Sequence, residues 1–275
     1  MRPSKQPRIT SRSTGIFSPK NWLEEGDGLF ETSQLNRKIW REHEVVMQQY
    51  IAENGTLQFP GSAKDIALLT GLPRASMLLL GYATEMYLKA GIAKAYWGCA
   101  ESMFSEKVKK YFGHHLLKMA DELCFPFRET DKDDVETLRR LILVDARYPL
   151  EVNDAQKYVF ETNTRNNRIW SDEIFNRLSN LSQRVRSHSA QIDADETNPS
   201  FKANFKIDDD GYLVFRTGGH LPPRITYKIS SHMNKLGQTD LEDIRALLTP
   251  EQNYLRILSN WEKAKKFEDS DQNRK

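Results

Sequence analysis

Apolar residues recur along most of this chain with the 3.6-residue period of helices, and one stretch near the C-terminal end alternates instead with a period of two. In "TSQLNRKIWREHEVVMQQYIAEN", Leu35, Ile39, Val46, Met47 and Tyr50 fall at near-helical spacing, and Asn54-Gly55 ends the element. "GSAKDIALLTG" reads as a short helix with Ser62 as its N-cap and Gly71 as its stop. After Pro73 comes the most apolar segment, "ASMLLLGYATEMYLKAGIAKAYWG". A helix apolar nearly all round belongs in the middle of a bundle. "SEKVKKYF" is short and helical, and Gly113 separates it from "HHLLKMADEL". "TDKDDVETLRRLILVDA" opens with acids, which suit the positive end of a helix dipole. It stops at Arg147-Tyr148, because Pro149 disfavours helical geometry in the residue before it. A long helix follows in "IWSDEIFNRLSNLSQRVRSHSAQ", with Ser171 as N-cap and Asp172 and Glu173 in its first turn.

The texture changes after about residue 192. "FKANFKIDDDGYLVFRTGG" alternates and turns at Asp210-Gly211, which predicts a β-hairpin, and "RITYKISS" supplies a third strand. "TDLEDIRALL" and "TPEQNYLRIL" return to helix, each with a capping-box pattern. The expected fold class is mainly α: an antiparallel helical bundle with a small C-terminal antiparallel β addition. Residues 1–28 read as a disordered basic tail and 29–192 as the bundle. Residues 193–266 read as the hairpin plus C-terminal helices packed on it, and 267–275 as a second tail.

Composition narrows the function classes. The chain has 275 residues and a formal net charge of +2, so no global field selects nucleic acid or membrane, and any partner is chosen by local patches. Cys99 and Cys124 form no CxxC and have no zinc spacing, as expected of a reduced, cytoplasmic setting. The longest apolar run, Ser76 to Trp97, is interrupted by Glu85, Lys89 and Lys94, so no membrane span is expected. The opening "MRPSKQPRITSRSTG" lacks the apolar core of a signal peptide; it reads as a basic tail, with an organellar transit peptide as the other reading.

Glu85 and Lys89 are spaced i,i+4 with the acid on the N-terminal side, the favourable orientation. Their neighbours are Leu78, Leu79, Leu80, Tyr82, Met86, Tyr87 and Leu88, so the charges must be paired and hydrogen-bonded. Two readings stay open: a structural salt bridge, or a polar pocket for a ligand or partner, with Arg147 as a further member. Leu116, Leu117, Ala120, Leu123 and Cys124 form one stripe of the next helix, and His114 and His115 fall outside it. Adjacent helical side chains diverge by about 100°, so the two histidines do not chelate one ion, and no metal site is expected. His115 shares its face with Lys118 and Glu122 and reads as solvated; His114 lies nearer Leu117 and bridges surface and core.

The ordered set "LLLGYATEMYLKAGI", "FGHHLLKMADEL" and "LRRLILVDARYPLE" resembles the HEPN family (higher eukaryotes and prokaryotes nucleotide-binding), over about residues 75–190. The resemblance implies a small antiparallel helical bundle and homodimerisation. It implies Glu85, Lys89, His114, Arg147 and Tyr148 as the polar positions, and a nucleotide, RNA or protein as partner. His115 stands where the family often has Asp. Many members are metal-independent ribonucleases of toxin–antitoxin or phage-defence systems, marked by an Arg, four to six residues, then a His. Here "RVRSH" places Arg184 and His188 one residue closer, on one helical face at i,i+4. Histidine moving protons and arginine stabilising phosphorane charge would need no metal or cofactor. The bland reading of Arg184, Arg186 and His188 is a solvated basic helix end. Arg37 and His43 have the family spacing but lie upstream of the matching region.

"FRTGGHLPPR" reads as a loop between strands rather than a phosphate cradle, and no GxGxxG, Walker-A, GxSxG or HExxH pattern occurs. The resemblance implies, as the expected function, a dimeric HEPN-like module binding a nucleotide, RNA or protein partner. The alternatives are a metal-independent RNA endonuclease working through Arg184 and His188, and a structural scaffold with no ligand.

Overall fold

A computed structural model describes residues 7–55, 63–146, 154–248 and 252–269. Two long helices, α1 (Pro19–Asn54) and α2 (Ala63–Ala95), form its spine. Close approach holds them together. A Cβ on Gly26 would lie 2.5 Å from Cε1 of Tyr87, and the Ser33 hydroxyl donates to the Ser76 carbonyl at 2.7 Å. These contacts make the pair antiparallel. Short helices α3 (Glu101–Met103) and α4 (Lys109–Phe112) flank a π-helical turn, Phe104–Val108. Next come α5 (Leu116–Glu122) and α6 (Asp131–Arg140), the latter running into a second π turn, Leu141–Asp145. Helices α7 (Ala155–Trp170) and α8 (Asp172–Gln191) close the bundle.

Helix α8 lies along α2, tied by Thr84 to Ser182 at 2.9 Å and by Lys94. The Lys94 ammonium donates to the carbonyls of Ser189, Ala190 and Ile192 at 2.9, 2.8 and 2.7 Å and so closes the C-terminus of α8. Burial pushes its pKa down to about 8.

The sheet has the order β1 (Phe201–Lys206), β2 (Tyr212–Gly218), β3 (Leu221–Lys228), β4 (Lys265–Glu268). Alternation along β2 gives each face its own core. Tyr212 and Val214 join the bundle core. Leu213 and Phe215, with Ile225 of β3, pack under Met233, Ile244 and Ile257 of the C-terminal helices α9 (Ser231–Lys235), α10 (Leu241–Ala246) and α11 (Gln252–Leu258), and under Trp261 in the turn that follows α11. Pro222 and Pro223 sit on β3 before its pairing with β4 begins at Arg224, where they cost the ladder no donor. The fold is thus mainly α with a small β addition, as its periodicity predicts.

Four sequence expectations change. The tail assigned to residues 1–28 is structured from residue 7 onward. Ile9 is buried and exchanges backbone hydrogen bonds with Gly98 and Cys99, at 2.8 and 3.0 Å. Helix α1 starts at Pro19 because Ser18 caps it, its hydroxyl accepting from the Asn21 amide at 3.3 Å, with Pro at the first position. The break at Gly71–Pro73 does not occur: α2 runs through Pro73, whose missing amide hydrogen takes the helical donor from the Leu69 carbonyl, and the Ser76 hydroxyl donates to the Pro73 carbonyl at 2.8 Å. Packing against α1 outweighs the loss of one helical hydrogen bond. The three-stranded addition has a fourth strand, β4, parallel to β3 and including Phe267, which sequence pattern assigns to a tail. Its four residues are too short to show alternation. Finally, α2 does contain an 18-residue window long and apolar enough to cross a membrane by length and composition, of which 33% is buried inside the protein.

Candidate functional site

Helix α2 carries Glu85 into the interior, where it is 1% exposed. Both of its oxygens are taken. Lys89, one turn on, places Nζ 2.5 Å from Oε1. His114 places Nδ1 2.8 Å from Oε2. The histidine arrives from the bend between α4 and α5, made by Gly113 at φ 48° and ψ −121°, a conformation in which a Cβ is strained. A carboxylate only accepts, so Nδ1 of His114 carries a hydrogen and Nε2 is the nitrogen left facing outward. The ring is 47% exposed, so this nitrogen is within reach of a ligand. The arrangement is that of an imidazole oriented by a buried carboxylate.

Lys89 also lies 5.2 Å from the centre of the Trp22 ring, a cation–π contact. Trp22 is held in turn, its indole donating to the Ile16 carbonyl at 2.8 Å. Between them opens a small cleft of about 70 Å³, lined by Ile16, Trp22, Lys89, Phe104, Lys109 and Phe112 among others. The π turn Phe104–Val108 supplies one wall: its wider turn sets Phe104 and Val108 toward the same space as Phe112. The cleft therefore offers aromatic rings and two lysine ammonium groups beside the Glu85–His114 pair. Sequence periodicity missed its wall because Ile16 and Trp22 lie in the segment read as a tail. The available signal was Ser18-Pro19, a cap followed by a first-turn proline.

Of the residues expected here, Glu85, Lys89 and His114 come together. Arg147 and Tyr148 lie outside the described residues. His115 is exposed and lines a separate shallow depression with Lys118, Asp121, Glu136 and Arg139.

Arg184 and His188 share a second, more open cleft with Phe125 and Pro126, but their polar atoms are engaged elsewhere. Arg184 donates to Asp131 at 2.8 Å and to the Pro126 carbonyl at 3.0 Å. Burial opposes ionisation of Asp131, but the hydrogen bonds from Arg184 and the Arg128 amide outweigh it and hold the carboxyl below its ordinary pKa. His188 donates from Nε2 to the Leu123 carbonyl at 2.9 Å and packs edge-on against Phe125. Burial lowers its pKa, only partly offset by that carbonyl. Both side chains fasten the loop between α5 and α6. Arg186 is a third fastener, bidentate on Asp27 at 2.6 and 2.7 Å, with Tyr87 donating to the same carboxylate at 3.0 Å. The solvated basic helix end expected for these three is thus a set of tethers.

Arg37 is no partner of His43. It is buried, donates to the Ile169 and Trp170 carbonyls at the end of α7, and pairs with Asp172 at the start of α8 at 2.8 Å. Among the described residues, no group of three His, Cys, Asp or Glu side chains is placed to hold a metal ion. Comparison of the chain with protein-family models, with curated proteins and with solved structures finds no match.

Proposed function

We propose that this protein is a cytoplasmic binding module for a nucleotide-like ligand: a planar aromatic ring carrying an anionic group. The observation that carries the reading is the buried Glu85 carboxylate clasped by Lys89 and His114 at the edge of an aromatic cleft. Charges embedded at such a depth require full pairing, and a purely structural pair would not need a half-exposed imidazole and a cleft beside it. In this reading Trp22 and Phe112 receive the ring, Lys89 and Lys109 face the anionic group, and Nε2 of His114 hydrogen-bonds the ligand. Homodimerisation belongs to the same proposal and rests on the HEPN resemblance.

The endonuclease reading loses support, since Arg184 and His188 direct their donors at the loop backbone and at Asp131. Calorimetric titration of the protein with nucleoside monophosphates tests the module. Binding that weakens about tenfold in Lys89→Met and His114→Ala supports it. The reading fails if millimolar nucleotide gives no heat with the wild-type chain, the outcome a ligand-free scaffold predicts. Light scattering tests the dimer.

A further inference from the structure

His114 has a chemical capacity that binding alone does not use. In its neutral form the imidazole has one hydrogen, and Glu85 fixes it on Nδ1, 2.8 Å from Oε2. Nε2 then presents its lone pair outward from a ring that is 47% exposed. An electrophile that bonds to Nε2 leaves a positive charge on the ring, and that charge develops against a carboxylate already in contact with Nδ1. Glu85 is 1% exposed, so water does not screen the attraction. Lys89 occupies its other oxygen at 2.5 Å and leaves Oε2 to the histidine.

Two other histidines show what sets His114 apart. His115, next in the chain, is exposed, and its side chain caps nothing at the start of α5. His220 pairs with Asp195 at 2.6 Å, but that carboxylate is 27% exposed and also accepts from the amide and hydroxyl of Thr197, at 2.8 and 2.6 Å. His114 combines an unscreened carboxylate with a place at the edge of the aromatic cleft, whose lining includes Lys89 and Gly113, the residue before it. Lys109 lines the same cleft and is exposed, so an ammonium is at hand for the oxygens of a phosphoryl group. We propose that His114 is a phosphoryl-accepting residue whose donor is a nucleoside triphosphate held in the cleft. This rests on the reading of the cleft as a nucleotide site. The Nε2 lone pair bonds to the γ-phosphorus as the bond from that phosphorus to the β–γ bridging oxygen breaks. The nucleoside diphosphate leaves with the electron pair, and the hydrogen stays on Nδ1, so no proton has to move. The product is a phosphohistidine whose ring charge rests on Glu85.

Incubation of the full chain with ATP radiolabelled at its γ-phosphorus, in magnesium buffer, tests it, with adenosine 5′-monophosphate titrated calorimetrically in parallel. The expected result is a protein-bound label that survives alkali and is released by acid, the behaviour of a phosphorus–nitrogen bond. His114→Asn abolishes the label, whereas His115→Asn and His220→Asn retain it. The His114 ring is half exposed, so its replacement leaves the fold intact. Glu85→Gln keeps the size of the side chain, removes its charge and is expected to slow labelling about a hundredfold. If the monophosphate binds and no label appears, the phosphoryl-acceptor proposal is overturned and the nucleotide site stands. If neither heat nor label appears, both fall. A label that persists in His114→Asn overturns the proposal whatever the monophosphate does.

Discussion

His114 and His188 are the same side chain put to opposite uses. His114 turns Nδ1 inward to a buried carboxylate and leaves Nε2 and nearly half its surface to solvent. His188 spends Nε2 on the Leu123 carbonyl and is half-buried against Phe125. Their basic neighbours divide in the same way. Lys89 faces a cleft over Trp22, whereas Arg184 is bound at both ends of its fork to Asp131 and Pro126. Sequence spacing makes the Arg184–His188 pair the more obvious catalytic candidate. What separates the two sites is which polar atoms remain uncommitted after folding.

The largest expected effect is on Glu85. Replacing it with alanine leaves the Lys89 ammonium without its partner beside an apolar core and opens a void. Urea denaturation should show a loss of about 3–4 kcal/mol. A loss below about 1 kcal/mol would make the clasp incidental. Arg184→Ala strands the Asp131 carboxylate and should cost about 2–3 kcal/mol, without changing ligand affinity in the Glu85 cleft. If it abolished a ribonuclease activity while leaving stability intact, the assignment of the two sites would have to be exchanged.

His188 makes a pH prediction. Its folded pKa lies below the ordinary 6.5, so between the two values the unfolded chain binds more protons than the folded one. Stability contributed by neutral, half-buried His188 is therefore present above about pH 6.5 and declines as pH falls below it. The difference in unfolding free energy between wild type and His188→Gln, compared at pH 7.5 and pH 5.5, should show this decline in the wild type alone. His114→Ala should cost under about 1 kcal/mol of stability, since the ring is half exposed, yet weaken nucleotide binding about tenfold. Equal destabilisation by the His114 and His188 substitutions would erase the contrast. The smallest effect belongs to His115→Ala, within about 0.5 kcal/mol because the side chain is exposed on the surface.

Legibility in the sequence followed the range of the interactions. The i,i+4 spacing of Glu85 and Lys89 inside an apolar helix announced an interior charge cluster, because both residues lie on one element and periodicity acts within it. The hairpin turn at Asp210-Gly211 was legible for the same reason. The wall formed by Ile16 and Trp22 was not, since Ile16 precedes α1, Trp22 sits in its first turn, and no periodic pattern marks either. Nor was β4, four residues that pair with a strand 41 positions earlier, Arg224 to Lys265. Gly71 and Pro73 misled, because local breaking tendencies of a few kcal/mol are outweighed by the packing of a long helix pair.

By itself the amino-acid order determined a mainly helical chain with a late β element, an apolar central helix and a charged pair that had to be partnered within it. Those properties depend on neighbours within a few residues, where backbone geometry alone decides who faces whom. Only tertiary structure decided that His114 completes the pair, that Ile16 and the start of α1 wall the cleft, and that Arg184 and His188 are tethers. Each of these depends on which groups from distant parts of the chain meet in a desolvated space, where a donor can be spent only where an acceptor arrives to receive it.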